Sequence, residues 1–408
     1  MRVLMVSDVY FPRINGVSTA IQTCREALRA EDIDVQLVAP DYGSADTPGN
    51  ADHNGDWVQR VPSRVVPRDP EDRLLAWRAL RRAVDAAAVG CDLIHIQTPF
   101  LAHYAAHGAA RRARLPVIAT YHTLFEEYLE HYAPFVPQDW LRGLARRFSR
   151  TQCNALDAVV VPSHAIHQRL SSYGVKTPLH VLPTGIPLAQ FAPLAASPGE
   201  RSAARSAFRA QHGIDAERPV ALYVGRVAFE KNLEFLLDAA ALVRESTPDL
   251  LLLIAGEGPA LAGLREAASA RGLDGNVQFL GYLDRQHELP ACYAAADAFV
   301  FASRTETQGL VLLEAMAAGL PVVALAVMGT VDILGARRGA LVPDDNPAAF
   351  ALELAHLLRD APLRQRLGSE GRTFASEWSD VALAGRLAGL YRHVVAEHRD
   401  QRNHRSRS

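Results

Sequence analysis

Lysine is nearly absent from this sequence. The 408 residues include two, Lys176 and Lys231, beside 41 arginines. A compact ammonium and a planar guanidinium are not interchangeable, so each retained lysine marks a position to question. Cysteine is scarce too. Cys24, Cys91, Cys153 and Cys292 lie far apart with no CxxC pair, which argues against a disulfide framework and a thiolate zinc site. Apolar runs stay at strand length, as at residues 250–255, far below the ~20 residues of a membrane-spanning helix. No charge of one sign dominates: 43 basic against 45 acidic residues leave a net charge of −2, so no nucleic-acid partner is expected. Neither a GxSxG elbow nor a Walker loop occurs. The first ten residues, MRVLMVSDVY, are apolar only over 3–6, which reads as a buried strand and not a signal peptide. The expected compartment is the cytoplasm.

What is present is the composition of an ordinary globular protein, 49% hydrophobic and 22% charged, at a length that suggests two domains. Short apolar runs alternate with helical patterns, the rhythm of parallel sheets flanked by helices. Strands are expected at residues 2–6, 35–38, 93–96, 117–119, 158–161 and 180–182. Helices fit near 17–29, 71–88, 100–112, 138–154 and 164–171. A Pro- and Ala-containing stretch, 187–199, breaks the pattern as a linker. The rhythm then restarts, with strands at 220–224, 250–254, 277–279, 298–301, 322–324 and 340–342. Helices should begin near Asn232, Pro259, Arg285, Leu310 and Pro347. The expected division is a first domain over 1–186, a second over 200–378, a helix at 379–397 packing back on the first, and a disordered tail at 398–408. Two doubly wound domains would face a central cleft with their strand ends, where such sheets bind ligands.

The most informative segment is FASRTETQGLVLLEAMAAGLPVV, residues 301–323. A strand ends near Phe301, a polar loop carries Glu306, and a helix starts at Gly309–Leu310 and stops at Gly319. The amides of Gly309, Leu310 and Val311 would form an anion site at the helix amino end. Glu306 and Glu314 would repel a phosphate directly, so they make better sense binding hydroxyl groups on either side of it. The alternative is that Glu306 caps the helix and Glu314 is a solvated surface residue. In ALYVGRVAFEKNLEFLLDAA, residues 221–240, Arg226 and Lys231 are cations at a strand end and helix start, where negative charge is preferred. They fit an anion clamp; the alternative is a surface salt bridge from Lys231 to Glu230 or Glu234. DVYFPRINGVS (8–18) puts Gly16 in the first strand-to-helix turn, and TYHTLFEEY (120–128) puts His122 just past a strand. Either feature alone is compatible with a structural role. IAGEGPAL (254–261) lacks the third glycine of a dinucleotide fingerprint, and His103 and His107 lack the zincin glutamate.

Taken in order and spacing, these segments resemble the retaining glycosyltransferases of family 4, over nearly the whole chain. The carriers are Gly16, His122, the GRxxxxKN segment with Arg226 and Lys231, and the pair Glu306 and Glu314 with seven residues between them. The resemblance implies the α/β GT-B fold, two Rossmann-like doubly wound domains facing a central cleft. It implies a nucleotide-sugar donor, UDP- or GDP-linked, with Arg226 and Lys231 on its diphosphate, Glu306 on sugar hydroxyls and Glu314 on the ribose. Gly309, Leu310 and Val311 would touch sugar and phosphate, Gly16 would close over the phosphate, and His122 would contact the sugar near the reacting carbon. Catalysis is thereby assigned to His122 and Glu306. Where family members often carry Gly-Gly-Glu after the PVV strand, this chain has VMGTVD (327–332), which leaves the sugar open.

None of these motif segments carries an Asp-x-Asp pair, so Arg226, Lys231 and the helix end are expected to stabilise the leaving diphosphate without a metal. No cofactor is expected. Retention is implied by the resemblance, and front-face attack suits a chain with no obvious carboxylate nucleophile. QTPFLAHY (97–104) and the segment at 120–137 look like the subgroup that glycosylates lipids such as diacylglycerol or phosphatidylinositol. Residues 60–150 carry 14 arginines against 9 acidic groups. Arg142, Arg146 and Arg150 form a stripe beside Trp140, Leu144 and Phe148, suited to an anionic membrane surface or, equally, to a solvated basic face. The expected placement is therefore cytoplasmic and peripheral at the inner membrane face. A soluble or polysaccharide acceptor, a GT-B sugar-nucleotide epimerase, a pyridoxal phosphorylase and a non-catalytic binding protein are the competing classes.

Overall fold

The structure, a computed structural model, describes residues 1–13, 15–43, 55–66, 69–122, 138–191 and 198–405. The chain forms two compact units. One is Met1–Gly185 with Asp380–Ser408, and the other is Ile186–Ser379.

In the first unit β1 (Arg2–Val6), β2 (Asp34–Pro40) and β3 (Val58–Val61) precede a small antiparallel hairpin of β4 (Ser63–Val66) and β5 (Asp69–Leu75). Then come β6 (Leu93–Ile96), β7 (Val117–Thr120), β8 (Ala158–Val161) and β9 (Leu179–Val181). The main sheet is parallel in the order β3-β2-β1-β6-β7-β8-β9, so the winding reverses between β1 and β6. Every residue of β6 and β8 is buried, the pattern of strands covered on both faces. Polar caps start two helices of this unit: Asn15 Oδ1 accepts from Ser18 N at 2.8 Å and opens helix Gly16–Leu28. Ser163 does the same for His164–Ser172.

The second unit repeats the plan with β10 (Val220–Val224), β11 (Leu251–Ala255), β12 (Val277–Gly281), β13 (Ala298–Phe301), β14 (Val322–Ala324) and β15 (Ala340–Leu341). Their parallel order, β12-β11-β10-β13-β14-β15, reverses between β10 and β13. Ligands bind at the carboxyl ends of strands beside such a reversal.

Three differences from the sequence reading have clear causes. The helix expected over 71–88 begins at Trp77, because residues 69–75 pair with β4 instead. Helix Pro198–Gln211 follows what reads as a linker, and helix Ala361–Ser376, not foreseen in the sequence, is opened by Asp360, which accepts from Leu363 N at 2.9 Å. The tail is not disordered from 398: the last helix is Asp380–Arg405. Ala384, Leu387, Ala388, Tyr391 and Val394 form the stripe that packs it on the first unit's core. Beyond them His398 and Arg402 reach the carbonyl of Arg114, each at 3.2 Å, and Arg399 reaches Asp92 at 3.1 Å. Arg114 caps the carboxyl end of helix Leu101–Ala113, where donors and cations are favoured.

Candidate functional site

At the carboxyl edge of the second sheet, β10 runs into Gly225 and Arg226, and a single 3-10 turn, Phe229–Lys231, follows. Asn232 then takes a left-handed conformation (φ 57°) and its side-chain Nδ2 donates to Ala302 O at 3.1 Å, which ties the turn to the end of β13. This places Lys231 Nζ 2.6 Å from Glu306 Oε1, with both side chains about four-fifths buried (20% and 19% exposed). The surface bridge to Glu230 or Glu234 is therefore corrected to a partly buried pair with Glu306. Burial disfavours the Lys231 charge, but Glu306 outweighs it and the ammonium titrates above its ordinary range. Arg226 opposes that effect, so the two cations stand close enough to feel each other.

Helix Leu310–Ala317 begins at Gly309 with no side-chain cap, so Glu306 does not cap it. Its first amides, those of Leu310 and Val311, are presented at the same edge. Glu314 lies in the second turn and is 2% exposed, which corrects the solvated-surface alternative. Its Oε1 accepts from Arg285 Nη2 at 2.6 Å and its Oε2 from the Tyr293 hydroxyl at 3.1 Å. Each buried carboxylate thus has its own cation. The repulsion that two carboxylates would exert on a phosphate is answered inside the protein.

The glycines nearby serve close packing. A Cβ on Gly256 or Gly258 would sit 1.9 or 2.3 Å from the carbonyls of Gly225 and Val227. IAGEGPAL is thus pressed against the strand end that carries Arg226, and needs glycine for that reason. In VMGTVD, a Cβ on Gly329 would meet Thr307 O at 2.0 Å, while Gly329 N donates to Glu306 O at 2.9 Å. That loop therefore braces the backbone of Glu306.

The first unit presents a different edge. Gly16 opens its helix, and an added Cβ would meet no described atom within 4 Å, so the fold itself does not require glycine there. His122, just past β7, pairs through Nε2 with Gln97 Oε1 at 3.0 Å. Burial pulls its imidazole down to about 4, so it is neutral at neutral pH. Residues 123–137, with the rest of TYHTLFEEY, lie outside the described residues. His95 bridges Tyr391 OH and Thr120 Oγ1, both at 2.7 Å. Asp8 accepts from Thr98 Oγ1 at 2.7 Å and from Ala102 N at 3.1 Å, so it caps helix Leu101–Ala113.

Residues 14–190 match the sequence model described as Glycosyltransferase Family 4, and residues 204–374 match that of Glycosyl transferases group 1. The chain is 33% identical over 329 residues to the alpha-monoglucosyldiacylglycerol synthase of Streptococcus pneumoniae, covering 79% of this chain and 71% of that protein. This chain belongs to the family 4 glycosyltransferases. A GDP-mannose-dependent alpha-mannosyltransferase of Mycolicibacterium smegmatis is 29% identical, covering 97% of the glycosyltransferase described here and 98% of its own length. Among solved structures, Anabaena HepE in complex with UDP and glucose superposes with a TM-score of 0.76 at 18% identity, over 95% and 98% of the two chains. Sucrose-phosphate synthase from Thermosynechococcus elongatus gives 0.76 at 24% identity, over 97% and 99%. The fold is GT-B.

Seven of the residues singled out from the sequence of this glycosyltransferase come together in one unit: Arg226, Lys231, Glu306, Gly309, Leu310, Val311 and Glu314. Gly16 and His122 belong to the other. Arg285, Tyr293, Gln97 and His95 were not foreseen. One arginine among 41 carries no signal by itself. The chain does hold one Asp-x-Asp, Asp32–Ile33–Asp34, but it leads into the first residue of β2 at the amino edge of its sheet, away from the strand ends that carry the motifs. Among the described residues no group of three or more His, Cys, Asp or Glu is arranged to hold a metal.

Proposed function

We propose that this glycosyltransferase moves a hexose, with retention and without a divalent metal, from a UDP- or GDP-linked donor to a hydroxyl of a membrane lipid. The observation that carries the reading is the meeting of Arg226, Lys231, Glu306, Glu314 and the uncapped helix end at one strand edge. Lys231 has three N–H donors and gives one to Glu306, so it can take a diphosphate oxygen without surrendering the pair. Glu306 keeps Oε2 for donor-sugar hydroxyls. Glu314 has lone pairs left for the ribose. Arg226, Lys231 and the helix amides oppose the charge that develops on the leaving diphosphate. An acceptor hydroxyl entering on the face the diphosphate leaves can pass its proton to a diphosphate oxygen as the new C–O bond forms. His122, neutral, serves as a hydrogen-bonding group toward the sugar; Gly16 leaves room for the phosphate.

The lipid acceptor is supported by relatives named for diacylglycerol and by helix Gln138–Cys153. That helix buries Leu141, Ala145 and Ser149 while leaving Trp140 and Leu144 67% and 49% exposed among Arg142, Arg146, Arg147 and Arg150. Among the described residues no helix is long and apolar enough to cross a membrane. Surface attachment at ~1 kcal/mol per basic side chain is the contact such a helix offers. The test combines radiolabelled UDP- and GDP-hexoses with diacylglycerol, phosphatidylinositol and soluble glycan acceptors, with and without chelator. Transfer to lipid that survives chelation is expected. Transfer only to soluble glycans, or strict metal dependence, overturns the corresponding part. Vesicle flotation with anionic lipid at low salt, comparing wild type with Arg142, Arg146 and Arg150 all changed to Glu, tests the surface; equal flotation of the two rejects it.

A further inference from the structure

Arg285 is placed with more care than a surface arginine requires. It lies in the loop between β12 and helix Glu288–Ala295, and Asp284 pins that loop from within. Asp284 Oδ1 accepts from Gln286 N at 3.1 Å and from His287 N at 2.8 Å, and its carbonyl accepts from Leu289 N at 2.8 Å. Gln190 Nε2 donates to the carbonyl of Arg285 itself. With the backbone fixed at both sides, the guanidinium reaches Glu314 Oε1 at 2.6 Å and stays 23% exposed, while Glu314 is 3% exposed. Tyr293, buried beneath, holds the other carboxylate oxygen. An ionised carboxylate offers about four lone-pair directions. Arg285 and Tyr293 take one on each oxygen and so fix the plane in which the other two point.

We infer that Arg285 is a positioning residue for the nucleotide: it holds the Glu314 carboxylate in one orientation, where two neighbouring hydroxyls of a ribose can both donate to it. The inference rests on the reading that Glu314 binds the ribose. Without Arg285 the buried carboxylate keeps only the Tyr293 hydroxyl as a partner, on one oxygen, which leaves it free to rotate. The planar guanidinium matters as well as the charge, because it fixes direction.

The experiment measures the affinities of UDP and GDP and of their 2′,3′-dideoxy counterparts by calorimetry, for wild type, Arg285→Gln and Arg285→Lys. Both ligands of a pair carry the same base and diphosphate, so their affinity ratio cancels any general electrostatic loss and isolates the hydroxyl contacts. In wild type the dideoxy ligand should bind about 10-fold or more weakly, as expected for hydrogen bonds to a charged group. In Arg285→Gln the ratio should collapse to within about threefold, with Arg285→Lys between. If wild type discriminates and Arg285→Gln does so equally, Arg285 does not position Glu314, while the ribose reading stands. If wild type does not discriminate, the ribose reading fails and the inference with it. Should Arg285→Gln not fold, as judged by its thermal unfolding, Arg285→Lys carries the test: a wild-type ratio there overturns the proposal, and a reduced one supports it.

Discussion

At the carboxyl edge of the second unit two buried carboxylates each meet a cation, Lys231 on Glu306 and Arg285 on Glu314. At the edge of the first unit, beside the helix-capping Asp8, His122 with Gln97 and His95 with Thr120 and Tyr391 meet without formal charge. The difference is chemical. Paired ions keep their charge in a partly desolvated place, and a polyanion can share the cations without exposing a lone carboxylate. Neutral imidazoles and amides suit uncharged hydroxyls, which gain from hydrogen bonds and would not repay a buried ion. Under the proposed function the charged edge would take the nucleotide diphosphate, and the neutral edge sugar or acceptor hydroxyls.

The strongest way to break this comparison is within the charged pair of carboxylates. Glu306→Ala should lower transfer by roughly 100-fold or more, because a group acting on the reacting sugar is lost. Free nucleoside diphosphate should bind within about threefold of wild type, since Lys231, released from Glu306, still finds an anionic partner in the phosphate. Glu314→Ala should instead weaken the nucleotide itself by about 10-fold or more. Initial rates and calorimetry on both variants decide the matter, and the opposite pattern would interchange the two roles.

Next in size is Lys231→Ala. It removes a charge-assisted contact to phosphate, worth ~1.5–3 kcal/mol, and leaves Glu306 without its cation. Nucleotide affinity should fall by about 10- to 150-fold. Unchanged affinity would mean that the lysine serves only its carboxylate, and the anion clamp would be wrong.

Acid should separate the two edges. Burial holds His122 at about 4, and burial with the field of His122 holds His95 at about 3, both below the ordinary 6.5. The stability they contribute is complete above 6.5 and is lost as pH falls toward those values. Asp8 works the other way: burial pushes it up to about 6 from 3.8, so its contribution is complete below 3.8 and lost as pH rises through about 6. Two histidines outweigh one aspartate. These three groups alone should cost the fold on the order of 3 kcal/mol net between pH 6.5 and 4, and His103, which burial also holds at about 4, adds in the same direction. Thermal unfolding across that range checks it. Asp8→Asn should steepen the loss by removing the opposing group, and a shallower slope would refute the assignment.

Much of this was legible because apolar runs of four or five residues mark buried parallel strands. Residues 2–6, 93–96, 158–161, 220–224, 298–301 and 322–324 were bounded from sequence where the structure has them. Polar elements were not. The strand Asp69–Leu75 carries charges that read equally as a helix start, and only its partner Ser63–Val66 decides. The last helix continues past its apolar stripe because Asp92 and the carbonyl of Arg114 receive its polar side chains, contacts between residues about 300 apart. The same limit hid Arg285. Glu306 and Glu314 stood out by spacing, whereas the cation on Glu314 comes from 29 residues away through a loop with no motif.

The smallest effects compare two tyrosines. Tyr391→Phe takes from buried His95 the partner of its Nδ1 at 2.7 Å. An unmade buried hydrogen bond costs ~1–3 kcal/mol, so the midpoint of unfolding should fall while nucleotide affinity stays the same. Tyr293→Phe removes a hydroxyl from Glu314, but Arg285 still holds that carboxylate at 2.6 Å. Its unfolding midpoint should move less, and its effect should appear as a few-fold weaker nucleotide. Paired unfolding and calorimetry on the two variants make the contrast measurable. If both lose stability equally and neither changes nucleotide affinity, Tyr293 is only a core residue, and the charged edge ends at the Arg285–Glu314 pair.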